Sequence, residues 1–157
     1  MKNGWKLLIS LVVPQAVAAA GAYFTVTGTG SWYQEIRRPS WNPPNWVFGP
    51  VWTLLYVLMG ISLFLVWKNA RNTSLKRTGI LLWSVQLFFN FCWSLLFFRA
   101  HMIGTALVDL ALLWLFLLLT IYVFSRMQKT AAWLLLPYIA WVTFAGFLNY
   151  AIYLMNR

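Results

Sequence analysis

The sequence predicts an all-α integral membrane bundle of five transmembrane helices with a long first loop. Apolar residues make up 62% of the 157 residues and charged residues only 9%, whereas a soluble domain carries about 25% charged residues. The apolar residues form five runs of roughly 20 residues or more, the length that crosses a bilayer as a helix. We therefore expect a single transmembrane domain over residues 1–157, with spans at residues 7–26, 46–67, 79–98, 102–124 and 131–154.

The first span has two interpretations. Lys2 and Lys6 precede a short apolar run, and the small residues Ala18–Ala20 resemble a cleavage site, as in a signal peptide. The apolar run continues through Tyr23 and Phe24. That continuation favours a retained helix, whose small residues would allow close helix packing.

Positive charge in the loops predicts the orientation. The net charge is +10, and most cations fall on one side of the predicted bundle. That side carries Lys2, Lys6, Lys68, Arg71, Lys76, Arg77, Arg126 and Lys129, and the other carries Arg37, Arg38, Arg99 and Arg157. The positive-inside rule then places the N-terminus inside and the C-terminus outside. The cations are interpreted as topology signals and lipid anchors, and no basic cluster forms a nucleic-acid docking surface.

The first loop, at about residues 27–45, is long for a minimal bundle and rich in aromatic residues and proline. It contains Trp32, Tyr33, Pro39, Trp41, Pro43 and Pro44. The prolines predict a stiff, extended segment. Composition leaves two roles open, a lid over a binding site or an aromatic belt on the headgroup layer.

Three spans carry polar and aromatic residues at helical spacing. These are Trp52 and Tyr56 on the second span; Gln86, Asn90, Trp93, Ser94 and Phe97 on the third; and Tyr138, Trp141, Ala145, Leu148 and Asn149 on the fifth. Polar groups inside a membrane mark either helix–helix packing or a site. Because they lie beneath the aromatic loop, we expect a mostly apolar ligand pocket open toward the outer leaflet.

Other candidate groups are few. Asp109 is the one acid within a span, and either a proton or ion site or a structural acceptor for Thr105 or for a neighbouring helix would explain it. Pro137 predicts a kink in the fifth span. His101 stands alone, and no zinc-ligand set or nucleophile–base pair is visible, so neither a metal site nor hydrolytic catalysis is expected.

Several motifs resemble those of the translocator protein family, also called tryptophan-rich sensory proteins or peripheral-type benzodiazepine receptors. They are Trp32-Tyr33, the runs from Arg38 to Pro44 and from Phe48 to Tyr56, Asn90–Ser94 on the third span, and Leu136–Asn149 on the fifth. The resemblance covers nearly the whole chain, and its most specific part runs from Trp32 to Tyr56.

The resemblance implies a homodimer whose pocket is closed by the first loop. Its ligands would be porphyrins (protoporphyrin IX or heme) and isoquinoline or benzodiazepine-type molecules, with no further cofactor required. Matched residues imply that Trp52 and Asn90 donate hydrogen bonds to a ligand carbonyl. The implied binding residues are Tyr33, Pro43, Trp52, Tyr56, Asn90, Trp93, Ser94, Trp141, Ala145 and Leu148.

The resemblance leaves three functions open. One is a membrane receptor or carrier for porphyrins. Another is light- and oxygen-dependent porphyrin degradation, with Trp52 and Trp141 as catalytic, redox-active indoles. A third is transport of tetrapyrroles or sterols, for which Leu148, Tyr153 and Arg157 match a permissive sterol motif. The lack of a longer basic tail after Arg157 predicts weak sterol binding and a bacterial cell membrane location.

Overall fold

Five helices in the computed structural model, which describes residues 3–157, are long and apolar enough to cross a bilayer. Lys2, one of the charges used to predict orientation, lies outside the described residues. The helices are α1 (Asn3–Phe24), α2 (Trp32–Glu35), α3 (Asn45–Asn69), α4 (Thr73–Ser94), α5 (Ile103–Ser125), α6 (Lys129–Trp133) and α7 (Leu136–Asn156). A π-helical turn, Leu95–Arg99, extends α4, and α6 with α7 makes the fifth span. The predicted all-α five-helix membrane bundle is confirmed.

The long helices form a closed ring. Helix α1 packs against α3 and α4, α4 runs along α5, and α5 packs on α7, while α3 meets the fifth span through α6. The outer surface carries large apolar side chains such as Leu81 and Phe88, which are more than half exposed. Such a surface matches hydrocarbon rather than water.

Helices α1 and α3 approach most closely at Gly60. A Cβ atom there would lie 2.6 Å from the carbonyl oxygen of Ser10 and 3.1 Å from Cα of Leu11. Only glycine permits this backbone-to-backbone contact. The first span therefore packs into the bundle, as expected of a retained helix.

Two spans depart from the predicted regular helices. The fifth is broken by a turn at Leu134 and Leu135, and Pro137 lies in the first turn of α7, where its missing N–H costs nothing. The predicted kink at Pro137 is thus a break just before it. The third span ends in a π-helical turn that the sequence analysis did not predict, and Phe97 and Phe98 on it are buried.

The first loop folds back over one end of the bundle, hereafter the loop end. The prediction of a wholly extended loop is wrong at α2, which is one helical turn. The ring of Tyr33 is buried there, 5.5 Å from the ring of Phe98 between centroids. Asn156 at the end of α7 fastens the loop, since its Nδ2 donates to the carbonyl oxygen of Arg37 at 2.8 Å and its Oδ1 accepts from the Arg37 N–H at 3.0 Å.

Candidate functional site

A buried hydrogen-bond network joins α3, α4 and α7 in the middle of the bundle. The Tyr56 hydroxyl donates to Oδ1 of Asn90, and Nδ2 of Asn90 donates to the Tyr138 hydroxyl at 2.8 Å. The Tyr138 hydroxyl donates in turn to Oε1 of Gln86 at 2.9 Å, and Nε2 of Gln86 donates to the carbonyl oxygen of Trp83 at 2.8 Å. Paired polar groups of this kind hold helices together where water is absent.

A second pair of buried polar side chains joins α4, α7 and the start of α5. The indole N–H of Trp93 donates to Oδ1 of Asn149 at 3.1 Å, and Nδ2 of Asn149 donates to the carbonyl oxygen of Ile103 at 3.0 Å. The ring of Trp93 stacks on Phe97 at 5.6 Å. Trp93 is therefore fixed in position both through its polar atom and through its face.

Trp52 lies at the centre of an aromatic cluster. Its ring centroid is 5.6 Å from Tyr56, 6.1 Å from Tyr138, and 6.5 Å from both Trp93 and Trp141. These distances fall within the range of favourable aromatic pairs. Among the described residues, the indole N–H groups of Trp52 and Trp141 have no hydrogen-bond partner, in contrast to that of Trp93. Both are thus left able to donate to a ligand, Trp52 from α3 and Trp141 from α7.

One face of Trp52 borders a small space beneath the loop, here called the closed cavity. Its volume is about 20 Å³, little more than one water molecule occupies. Six of the predicted binding residues line it: Tyr33, Trp52, Trp93, Trp141, Ala145 and Leu148. The structure brings these residues together with Phe97 and Asn149 of the predicted faces. The rings of Phe48, Phe98 and Phe144, which were not predicted from the sequence as part of the site, also line this space and leave little room in it.

Trp52 also borders a much larger space between α1, α3 and the end of α4, here called the crevice. Its volume is about 550 Å³, within the 300–1,000 Å³ range typical of small-molecule sites. Helix α1 contributes small residues, and α3 contributes Trp52 and Tyr56. The α1 residues lining it are Gln15, Ala18, Ala19, Gly21 and Ala22. From the sequence alone, these small residues were interpreted only as packing positions.

Other predicted binding residues lie elsewhere. Ser94 and Tyr56 line the crevice and not the closed cavity. Asn90 lines neither space, because its amide is held in the buried network. Pro43 also lines neither, and its carbonyl oxygen accepts a hydrogen bond from Nδ2 of Asn42 at 2.9 Å.

The three residues of the sterol motif do not share a surface. Leu148 is buried and lines the closed cavity, whereas Tyr153 and Arg157 are exposed. The ring of Tyr153 lies against Gly104 of α5, 3.1 Å from where a Cβ atom would be. A sterol could not contact all three side chains at once on this face of α7.

Asp109 is buried, with 7% of its surface exposed. Its Oδ2 has no hydrogen-bond partner among the described residues, and no hydrogen bond joins it to Thr105 there. Within residues 3–157, no cluster of His, Cys, Asp or Glu is placed to hold a metal ion. The acid is therefore not part of a visible metal or ion-pair site in that part of the chain.

Tyr33 is the titratable group of the loop whose environment is most altered. Burial raises the pKa of its phenol, and the hydrogen bond to Oδ1 of Asn42 at 2.8 Å and the nearby Arg38 guanidinium lower it in part. The guanidinium carbon lies 4.9 Å from the centre of the Tyr33 ring. The neutral phenol is thus the form that fits the loop.

Comparisons with known proteins agree with this architecture. The model of the TspO/MBR family matches residues 10–155. The chain is 42% identical to the tryptophan-rich protein TspO of Archaeoglobus fulgidus over 98% of this chain and 99% of the relative. It is 41% identical to the tryptophan-rich protein TspO of Chlorobaculum tepidum over 90% and 89%, and 40% identical to the translocator protein of Homo sapiens over 93% and 87%. With these matches and its apolar helices, the chain is a multi-pass integral membrane protein that belongs to the TspO/MBR family.

Proposed function

We propose that this protein is a membrane receptor or carrier that binds porphyrins, protoporphyrin IX or heme, inside its helix bundle. Membership of the family supports a receptor or transporter role in general. The porphyrin specificity is the finer part of the proposal. Binding of isoquinoline or benzodiazepine-type molecules, transport, and the homodimer stay predictions.

The observation that carries the proposal is the aromatic cluster around Trp52 beside a cavity of ligand size. A porphyrin is flat and mostly apolar, so it gains most from broad aromatic walls with few polar groups. Trp52 presents its ring between the crevice and the closed cavity, and its N–H makes no hydrogen bond within the described part of the chain. Its position also allows contact with a ligand from either side.

The test is a titration of the purified protein with protoporphyrin IX in the dark, followed by absorbance of the bound porphyrin. The double variant Trp52→Phe/Asn90→Ala should lose most of the saturable binding. Because Asn90 holds the buried network, Trp52→Phe alone is also needed, with Trp114→Phe as its matched control. Trp114 is partly exposed on α5, and its N–H donates to Oγ1 of Thr143, away from both cavities. Equal, unsaturable uptake by all variants would show partitioning into detergent and contradict the proposal.

A second candidate function is light- and oxygen-dependent porphyrin degradation. The observation that favours it is the edge-to-face pair of Trp52 and Trp141, whose ring centroids are 6.5 Å apart. Two neighbouring indoles beside a bound porphyrin would be oxidisable groups within reach of its excited state. Bleaching of protoporphyrin under light at the same rate in wild type and in Trp52→Phe/Trp141→Phe would contradict this candidate.

A further inference from the structure

The crevice differs from the closed cavity in having room for a ligand. The closed cavity of about 20 Å³ cannot hold a tetrapyrrole unless several buried rings move. The groove on the opposite side of the bundle, between α5 and α7, has about 360 Å³ and mostly apolar walls. The crevice, with about 550 Å³, is the larger space and touches the Trp52 cluster.

Polar side chains line the crevice both at its mouth and further in. Thr25, Thr27 and Asn45 lie at the loop end, where a ligand's charged groups would meet water. Gln15 lies ten residues before Thr25 on α1, or about 15 Å deeper at 1.5 Å per residue. The crevice therefore has a polar mouth, and below it Gln15 is accompanied by Ser94 and by the hydroxyls of Thr53 and Tyr56, which are already hydrogen-bonded.

The position of Gln15 is energetically unfavourable unless a ligand forms a hydrogen bond with its side chain. Its carboxamide makes no hydrogen bond to any of the described residues, and the residue is partly buried in the middle of a membrane span. An amide without partners in hydrocarbon is costly. The buried amides Gln86, Asn90 and Asn149, by contrast, are all hydrogen-bonded.

We propose that the crevice takes the flat tetrapyrrole edge-on, with its carboxylates at the mouth and the Gln15 carboxamide hydrogen-bonded to the opposite edge. This inference rests on the proposed function. It specifies the crevice as the binding space. It also predicts a preference for tetrapyrroles that carry a hydrogen-bonding group, such as a carbonyl, on the edge away from the carboxylates. Such a group would satisfy Gln15, whereas an apolar vinyl edge leaves it unpaired.

The experiment compares protoporphyrin IX with its analogue in which a vinyl group on that edge is replaced by a formyl group. Wild type should bind the formyl analogue about three- to tenfold more tightly, the size expected of one hydrogen bond. Gln15→Leu should remove this preference by weakening formyl binding more than protoporphyrin binding. Because leucine suits a lipid-facing helix, the variant should unfold no earlier than wild type.

A pair of cavity-filling variants tests whether the ligand binds in the crevice. Ala22→Phe places a ring in the crevice and should weaken binding of both porphyrins about tenfold or more. Ala111→Phe places the same ring in the groove between α5 and α7 and should leave both affinities within twofold. Both positions are exposed on their helices, so either variant can fold.

The outcomes separate this inference from the proposed function. Saturable binding of both porphyrins with no formyl preference, or with no effect of Ala22→Phe, would overturn the inference and leave the proposed function standing. If wild type binds neither porphyrin saturably, both fail. If Ala22→Phe misfolds, the ligand preference and its loss in Gln15→Leu still decide.

Discussion

The two sides of Trp52 are built differently. On the side of α4 and α7, polar side chains are paired with one another and aromatic rings fill the space to about 20 Å³. On the side of α1, small residues leave about 550 Å³, and the amide of Gln15 makes no hydrogen bond to residues 3–157. The first side has the features of a framework that holds the spans together, and the second has those of a ligand-binding site.

The contrast also separates residues that look alike in sequence. Asn90 and Gln15 are both amides within spans, yet Asn90 joins Tyr56 to Tyr138 whereas Gln15 faces open space. An intramembrane polar residue is thus a candidate for binding only after its internal partners have been counted.

The largest effect is expected at the contact that fixes α1 beside the crevice. In Gly60→Ala, the new Cβ would lie 2.6 Å from the Ser10 carbonyl oxygen, so the helices must separate at a cost of about 3 kcal/mol. Thermal unfolding in detergent, followed by circular dichroism, measures this loss. Gly146→Ala on α7 is the control, because its Cβ would have only an ordinary contact at 3.9 Å. Equal stability of the two variants would mean that α1 does not pack this closely.

A smaller loss is expected in the framework itself. Tyr138→Phe removes the hydroxyl that accepts from Asn90 and donates to Gln86, which leaves two buried amides underpaired at a cost of about 2 kcal/mol. Tyr150→Phe, on an exposed position of the same helix, should change stability little. Chemical unfolding of both variants tests this. If the Tyr138→Phe protein is as stable as the Tyr150→Phe protein, the buried hydrogen-bond network does not stabilise the bundle.

The pair formed by Trp93 and Asn149 should contribute less. Trp93→Phe loses one buried hydrogen bond and part of a stacked ring, for an expected cost of about 1.5 kcal/mol. Trp114→Phe loses a hydrogen bond to Thr143 in a more exposed position, and membrane hydrogen bonds average about 0.6 kcal/mol. The order of the two unfolding midpoints is the measurement, and a reversed order would contradict the distinction between the framework and the outer surface.

The smallest effect concerns the loop. The pKa of Tyr33 is raised above its ordinary value of 10.0 mainly by burial, so the folded loop favours the neutral phenol. Its contribution to stability is complete below pH 10 and is lost as the pH rises through the raised pKa. Proteolysis of the loop should therefore accelerate above that pH in wild type. Tyr33→Phe should lack this step, and an identical pH profile in both proteins would assign the change to other groups.

The sequence was informative about spans because hydrophobic length is a local property. The long apolar runs predicted the five helices. The distribution of positive charge placed the first loop and the end of the fifth span on the same side of the membrane, and the hydrogen bond between Asn156 and Arg37 shows that they lie together. The turn at Leu134 and the π-helical turn after Ser94 were missed. Both depend on how a span fits its neighbours, which apolar composition does not encode.

The candidate site was predictable in its residue types but not in its spaces. Helical spacing and the family resemblance brought Trp52, Trp93 and Trp141 to one region, where the structure places them. The size of the closed cavity depends on how side chains such as Phe97 and Phe144 pack, which helical spacing does not predict. The crevice could have been inferred from the small residues of α1, which face large side chains at the start of α3.

The most direct test of the account is a crystal structure of the protein with bound protoporphyrin IX. We expect the macrocycle in the crevice, with one face against Trp52, its carboxylates near Asn45 and its opposite edge toward Gln15. A macrocycle bound between Trp141 and Leu148, in a closed cavity that has opened, would contradict the division of the bundle into a framework side and a receiving side.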